Sequence, residues 1–332
     1  MKIIVDVMGG DNAPLEIVKG CVLAVEEYGI EVVLVGNENQ ITNILKENNL
    51  SDKNIEIVHT EEVITMEDDP TCVIKSKKDS SLGKAFYLLK EGKGDAVVSA
   101  GSTGAVMVGA TMIVGRIRGI KRPALAPVFP SANGPFMLID CGANVECRPE
   151  MLNQFGVMGS IYMNKIMNID SPKVGLANVG TEDTKGGTLQ KEAFALLKDA
   201  PINFYGNVEG RDIPNGVVDV VVADGFTGNM ILKVYEGVAM CMYQSLKGVF
   251  KKNAISKFAA MLVMPGLKEF KKSMDYTEYG GAPLMGISKP VIKAHGSSNA
   301  VAFKNALRQA LEFNKNNVIE AIQNSISVEK EG

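Results

Sequence analysis

The chain has no tryptophan, and aromatic residues make up only 6% of it, too few for the stacking platforms of single-strand nucleic-acid readers. Its 35 Lys and Arg residues face 38 Asp and Glu, for a net charge of −3. No nucleic-acid partner is expected, and any acidic partner must be met by a local basic patch. The five cysteines (Cys21, Cys72, Cys141, Cys147, Cys241) are odd in number and contain no C-x-x-C pair. That argues against a disulfide framework or a zinc site and fits a reducing cytosol. No apolar run reaches the ~20 residues of a membrane-spanning helix. The first run, 1–7, is soon interrupted by Gly9, Gly10 and Asp11, so no secretory signal is expected. Also missing are G-x-G-x-x-G after the first strand, G-x-x-x-x-G-K-[ST] and H-E-x-x-H. Nicotinamide, nucleoside triphosphate and metal chemistry lose their usual signatures, and neither cofactor nor metal is expected.

What is present reads as globular: 332 residues, 46% apolar and 22% charged, with 34 glycines. Short β-branched runs at 3–7, 31–35, 54–58 and 96–98 alternate with amphipathic stretches, the signature of βαβ units. Pro14 stands at a first helical position, and Leu15, Val18, Cys21, Val22 and Val25 follow at helical spacing. Further helices are predicted over 39–47, 82–90, 149–167, 188–198, 227–250 and 297–322, and strands over 174–177, 202–205 and 217–223. The segment 122–140, framed by Pro123, Pro127, Pro130 and Pro135, reads as a hairpin-like insertion. The expected fold class is α/β, three layers around a mainly parallel sheet. One domain covers 1–332, its two lobes sharing one sheet.

Five times an apolar strand runs into a small, polar, glycine-containing turn: 6–11, 99–104, 140–144, 224–229 and 295–298. In a parallel sheet the carboxyl ends of the strands face one side, so these turns would line one cleft. Glycine lets backbone amides approach an anion, and the helix that follows adds its positive end. Any one such turn is equally explained by the backbone alone; five together point to an anion site. Lys185, beside Gly186 and Gly187, can aim an ammonium into the cleft or stand as a solvated loop charge. His295 is a site residue or a hydrogen-bonded structural histidine, and His59 reads as structural. Ser102 sits in an A-G-S-T-G near-match to a nucleophile elbow, with Asp224 and His295 following in triad order. That spacing leaves open a serine esterase or thioesterase.

At these turns the sequence resembles the bacterial phosphate acyltransferases, the acyl-carrier-protein:phosphate acyltransferases of phospholipid synthesis. The matching runs are DVMGGDNAP (6–14), SAGSTGA (99–105), RPALAP (122–127), DCGAN (140–144), PEMLNQFG (149–156), NVGTED (178–183), VVADGFTGN (221–229), GGAPLMG (280–286) and KAHGSS (293–298). They span nearly the whole chain in order. The resemblance implies an isocitrate-dehydrogenase-like α/β/α fold shared with phosphotransacetylases, a homodimer, and direct attack of inorganic phosphate on a thioester without ATP or an acyl-enzyme. One departure is Ser102, where the family usually carries Asn, which weakens the nucleophile reading.

On that mechanism Lys185 is expected to clamp phosphate or oxyanion, Asn229 to donate to the oxyanion, and His295 to position groups or transfer a proton. Gly10, Ser99, Gly101, Ser102, Thr103, Asn144, Asp224 and Gly225 are expected around the substrate. Arg116, Arg118, Lys121 and Arg122 form a basic run suited to an acidic carrier protein, or simply a solvated loop. Residues 247–272 hold seven lysines against one acid, Glu269, around an apolar run. They are expected to form a helical tip that seats Lys257, Phe258, Leu262, Val263 and Leu267 at an anionic membrane surface. A core or dimer contact would explain the apolar run as well. The expected location is cytoplasmic and peripheral to the membrane, with a downstream membrane acyltransferase as a further partner. A non-enzymatic lipid-synthesis scaffold is the remaining alternative.

Overall fold

The computed structural model describes residues 1–253, 256, 259–264, 266 and 279–328. The first sheet has the order β3-β2-β1-β4-β12-β11-β5 and the second β6-β7-β10-β8-β9. In the first, β1 (Lys2–Asp6), β2 (Glu31–Gly36), β3 (Ile55–His59), β4 (Ala96–Ser99) and β12 (Val291–Lys293) are parallel. The strands β11 (Ala282–Met285) and β5 (Ala124–Leu125) close its edge in antiparallel register. In the second, β7 (Gly134–Ile139), β10 (Val220–Val222), β8 (Lys173–Ala177) and β9 (Asn203–Val208) are parallel, with β6 (Val128–Ser131) antiparallel at the edge.

Period-two burial explains the layering. Ile3, Val5 and Val7 join one buried cluster and Ile4 another. Likewise Val220 and Val222 face one way and Val221 the other. The helices α1 (Leu15–Tyr28), α2 (Glu38–Glu47) and α8 (Ala300–Lys315) cover one outer face; α5 (Pro149–Lys165), α6 (Thr188–Asp199) and α9 (Val318–Val328) cover the other. Between them, α3 (Ser81–Lys90) and α4 (Thr103–Gly109) share a cluster with residues of both sheets. Helix α7 (Gly225–Lys251) packs Ile231, Leu232 and Tyr235 against that shared cluster.

Three expectations change. The two lobes do not share one sheet, because the described strands form two, of seven and five strands. The segment 122–140 does contain a hairpin, β6 pairing antiparallel with β7, but it is no insertion: β5 pairs with β11, so this stretch carries the chain from one sheet to the other. Pro130 is tolerated because β6 is an edge strand, and Pro135 because it stands near the start of β7. The last helix is two, because Asn317 takes a left-handed φ of 52° and ends α8 where apolar periodicity alone would continue.

Candidate active site

The order β1-β4-β12 sets three parallel strands side by side, and the turns after them meet. Asp11 N donates to Gly296 O at 2.8 Å, and Asn12 Nδ2 donates to Ser297 O at 3.1 Å and Ser298 O at 3.2 Å. Gly10, at φ 109°, lies where a Cβ would come within 2.9 Å of Ala100 Cβ and 3.1 Å of Gly296 O. Only glycine lets the turns 6–11, 99–104 and 295–298 close together here.

Behind these turns lies a buried polar layer. Ser99 Oγ donates to Asp6 Oδ2 at 2.7 Å and accepts from Gly101 N at 3.0 Å. Lys293, 8% exposed, donates from Nζ to Ala100 O at 3.2 Å and to Ala294 O. Burial pushes the Asp6 carboxyl above the usual carboxylate range, against its hydrogen bonds to serines. It also pushes Lys293 down to about 8, with Asp6 and Asp11 opposing the shift.

In the second sheet the adjacent parallel strands β7, β10 and β8 carry the turns 140–144, 224–229 and 178–187. Gly225 N donates to Asn144 O at 2.8 Å, and a Cβ on Gly228 would fall 1.8 Å from Asp140 O. The start of α7 is therefore pressed onto the 140–144 turn, which glycine alone permits. Asp140 organises that turn: Oδ1 accepts from Leu125 N at 2.9 Å and Ala143 N at 3.2 Å, and Oδ2 from Asn144 N and Nδ2. Asp224 caps α7, accepting from Thr227 N and from the Thr227 hydroxyl, both at 2.8 Å.

Helix α7 joins the two groups of turns. Asn229, Lys233 and Glu236 recur at spacings of four and three, which puts them on one helical face. Lys233 Nζ and Glu236 Oε2 lie 2.9 Å apart. Both act electrostatically on His295 of the first group and on Cys141 of the second, so this face looks into the space between the groups. His295 Nδ1 lies 2.8 Å from Ser297 Oγ and accepts from Ser297 N at 3.2 Å. That bond leaves the ring proton of the neutral form on Nε2. Partial burial lowers the His295 pKa, and Glu236 is the strongest opposing influence.

The expected residues thus divide. His295 and Asn229 are exposed at the meeting of the turns. Lys185 is exposed on the turn after β8, with its Nζ 3.8 Å from Glu182, and only strand adjacency brings it near Asn229. Thr103 is half-buried, and Ser102 is the N-cap of α4 with no side-chain cap bond. Ser99, Gly101, Asn144, Asp224 and Gly225 hold the turns together instead of presenting donors. The Ser99 hydroxyl, the Gly101 and Gly225 amides and the Asn144 side chain are spent on other protein groups, the last on Pro123 O and Asp140.

The triad arrangement does not form, because Asp224 caps a helix and His295 Nδ1 is held by Ser297. His59 accepts from Glu38 N at 3.2 Å and braces the start of α2. Arg116, Arg118, Lys121 and Arg122 are exposed. Arg116, however, folds back onto the carbonyls of Ile120 and Lys121, leaving three cations for a partner. Leu262 and Val263 lie on a helical stretch and are exposed, whereas Lys257, Phe258 and Leu267 lie outside the described residues. No described helix is long and apolar enough to cross a membrane. Among the described residues no three His, Cys, Asp or Glu side chains could hold a metal ion together.

Lys233, Glu236 and Lys293 were not anticipated. The first two were readable from their spacing to Asn229. Lys293 was readable as a cation set among Val291, Ile292 and Ala294.

A family model described as fatty acid synthesis protein matches residues 1–321. The phosphate acyltransferase of Alkaliphilus oremlandii is 52% identical over 327 residues, covering 98% of this chain and 98% of its own. That of Thermoanaerobacterium thermosaccharolyticum is 51% identical over 328 residues, covering 99% of this chain and 97% of its own. Among solved structures, a phosphotransacetylase from Streptococcus pyogenes superposes with a TM-score of 0.63 at 19% identity, covering 96% of this chain and 94% of that one. A 4-hydroxythreonine-4-phosphate dehydrogenase from Klebsiella pneumoniae gives 0.51 at 14%, covering 94% and 98%. The two structures share the α/β fold with this protein, and the chain belongs to the fatty acid synthesis protein family in which the phosphate acyltransferases fall.

Proposed function

We propose that this member of the phosphate acyltransferase family transfers a fatty acyl group from an acyl-carrier-protein thioester to inorganic phosphate, producing an acyl phosphate for phospholipid synthesis. The observation that carries the reading is the meeting of two groups of strand-end turns at the Asn229, Lys233 and Glu236 face of α7, opposite His295. The full-length relatives named phosphate acyltransferase support the same chemistry.

A phosphate oxygen bonds to the thioester carbon, the C–S bond breaks, and the sulfur leaves as a thiolate that takes up a proton. Phosphate is already nucleophilic near neutrality, so the protein's task is to align it and stabilise the oxyanion. Alignment can supply roughly 7–11 kcal/mol, and one oxyanion donor about 3–4 kcal/mol. Asn229 serves as that donor, Lys185 as the clamp on phosphate, and His295 Nε2–H as a donor to oxyanion or leaving sulfur.

Arg118, Lys121 and Arg122 provide the docking surface for the acidic carrier. A stripe on α7 leaves Phe226, Met230, Val234, Val238, Met242 and Val249 exposed, which supports a homodimer closed along this helix. The exposed Met261, Leu262, Val263 and Met264 support a membrane-seated tip that delivers the acyl phosphate to a downstream membrane acyltransferase.

The test is purified protein with acyl-carrier thioester, with and without phosphate. Acyl phosphate formed only with phosphate is the expected result. Free fatty acid in both reactions would mean a thioesterase, and no turnover a scaffold.

A further inference from the structure

Lys293 is the only buried lysine or arginine among the described residues. Its Nζ donates to the carbonyl of Ala100, at 3.2 Å, and to that of Ala294. These carbonyls belong to two different strand ends: Ala100 lies within the 99–104 turn, and Ala294 immediately precedes the 295–298 turn. The third turn closes over the same point, since Gly10 packs on Ala100 and Gly296. The ammonium therefore sits directly behind the junction of all three turns of the first sheet.

A buried ammonium bonded to neutral carbonyls carries a desolvation cost that those bonds do not cancel. An apolar side chain would fill the same space without it. Asp6 does not neutralise the cation by contact: its Oδ2 accepts from Ser99, its Oδ1 is buried without a hydrogen-bond partner, and Lys293 Nζ is turned to the two carbonyls. Asp6 from β1 and Asp11 from the next turn act on Lys293 through space, and His295 lies on its own segment. The neighbouring elements add no further charge: β4 contributes the uncharged Ser99, α8 the apolar Phe303, and β11 pairs Ala282 opposite it. A dianion arriving at the turns would add to the counter-charge that these two carboxylates supply only from a distance.

We infer that Lys293 is the positioning cation of the phosphate site, holding the turns 99–104 and 295–298 in register and drawing the phosphate dianion to their mouth. The inference rests on the phosphate acyltransfer reading above and brings the turns of the first sheet to the phosphate, alongside the Lys185 clamp of the second. Lys293 acts through the turns and at range, without touching substrate. Burial keeps its pKa at about 8, so the charge is present at neutrality and is lost as pH rises. His295 titrates below its ordinary 6.5 and stays neutral across that range.

Steady-state kinetics of Lys293→Met and Lys293→Arg, varying phosphate and acyl-carrier thioester separately, test the inference. Lys293→Met should raise KM for phosphate at least tenfold and leave KM for the acyl donor within about twofold, and Lys293→Arg should recover part of the loss. A merely structural role would raise both constants together or lower the active fraction, and either result overturns the inference, as does an unchanged phosphate KM. Calorimetric binding of sulfate to the wild-type protein decides the matter if Lys293→Met does not fold. Sulfate stays doubly charged from roughly pH 7 to 9, so its Kd should weaken five- to tenfold between those values as Lys293 loses its proton. A flat sulfate profile overturns the inference. A wild-type protein that turns over thioester without consuming phosphate overturns the acyltransfer reading itself, and the wild-type reaction alone reveals that.

Discussion

Asp140 and Asn144 are joined twice, the Asn144 backbone N–H donating to Asp140 Oδ2 at 2.6 Å and its side-chain Nδ2 to the same oxygen at 3.0 Å. With the bonds from Leu125 and Ala143 to Oδ1, one buried carboxylate holds four donors. Replacing Asp140 by Ala strands buried amides, each costing about 1–3 kcal/mol. Asp140→Ala should therefore destabilise the protein by at least about 3 kcal/mol in denaturant titration. A loss below 1 kcal/mol would mean that water or a shifted loop replaces the carboxylate.

Lys185→Ala and Asn229→Ala should each lower kcat/KM at least tenfold, about 1.4 kcal/mol of transition-state stabilisation, with unchanged melting temperature. Both side chains are exposed, so stability and activity separate cleanly. Wild-type kinetics in both variants would remove them from the site.

Ser102→Asn should keep activity, because direct attack by phosphate needs no serine nucleophile and neither triad partner is in place. Mass spectrometry of the protein mixed with acyl donor should find no acyl group on Ser102. An acylated Ser102, or an inactive Asn variant that still folds, would restore the serine mechanism.

Glu236 opposes the burial that lowers the His295 pKa. Neutralising it removes a negative charge that favours the imidazolium, so Glu236→Gln should move the His295 pKa further down. The chain has two histidines, which makes NMR titration tractable: a His59→Gln variant assigns the pair, and His59 serves as the internal control. Equal movement of both resonances, or no movement of His295, would break the link across the cleft.

Leu262 and Val263 are exposed. Changing both to Glu should release the protein from anionic liposomes in flotation while sparing turnover of soluble substrate. Flotation equal to the parent's, or a parent that never floats, would place the membrane contact elsewhere or nowhere.

Much of the architecture was legible because it is local. The β-branched apolar run at 3–7 announces a strand buried on both faces. The helical spacing after Pro14 announces α1. The Asp224 cap is a contact with a residue three positions on, visible in the order Asp, Gly, Phe, Thr. The bridging role of 122–140 was hidden, because prolines mark where a chain cannot continue a central strand without saying which two sheets it will join. The break at Asn316 and Asn317 was hidden by apolar periodicity that runs through it.

The sequence by itself determined where strands end in small polar turns, which glycines must stand there, and that Asn229 and His295 follow such ends. Tertiary structure alone decided which of those groups face the cleft and which are consumed behind it. Ser99, Asn144 and Gly225 look like ligands in a string of letters, but their donors are spent on Asp6, on Asp140 and Pro123, and on Asn144 O. Lys293 looks like a strand-end charge and becomes a buried cation. The reason is that a strand's pattern records that it is covered, not by what. The order β1-β4-β12 brings together segments nearly three hundred residues apart in the chain, and the partners of a hydroxyl, an amide or an ammonium are set only when that order closes.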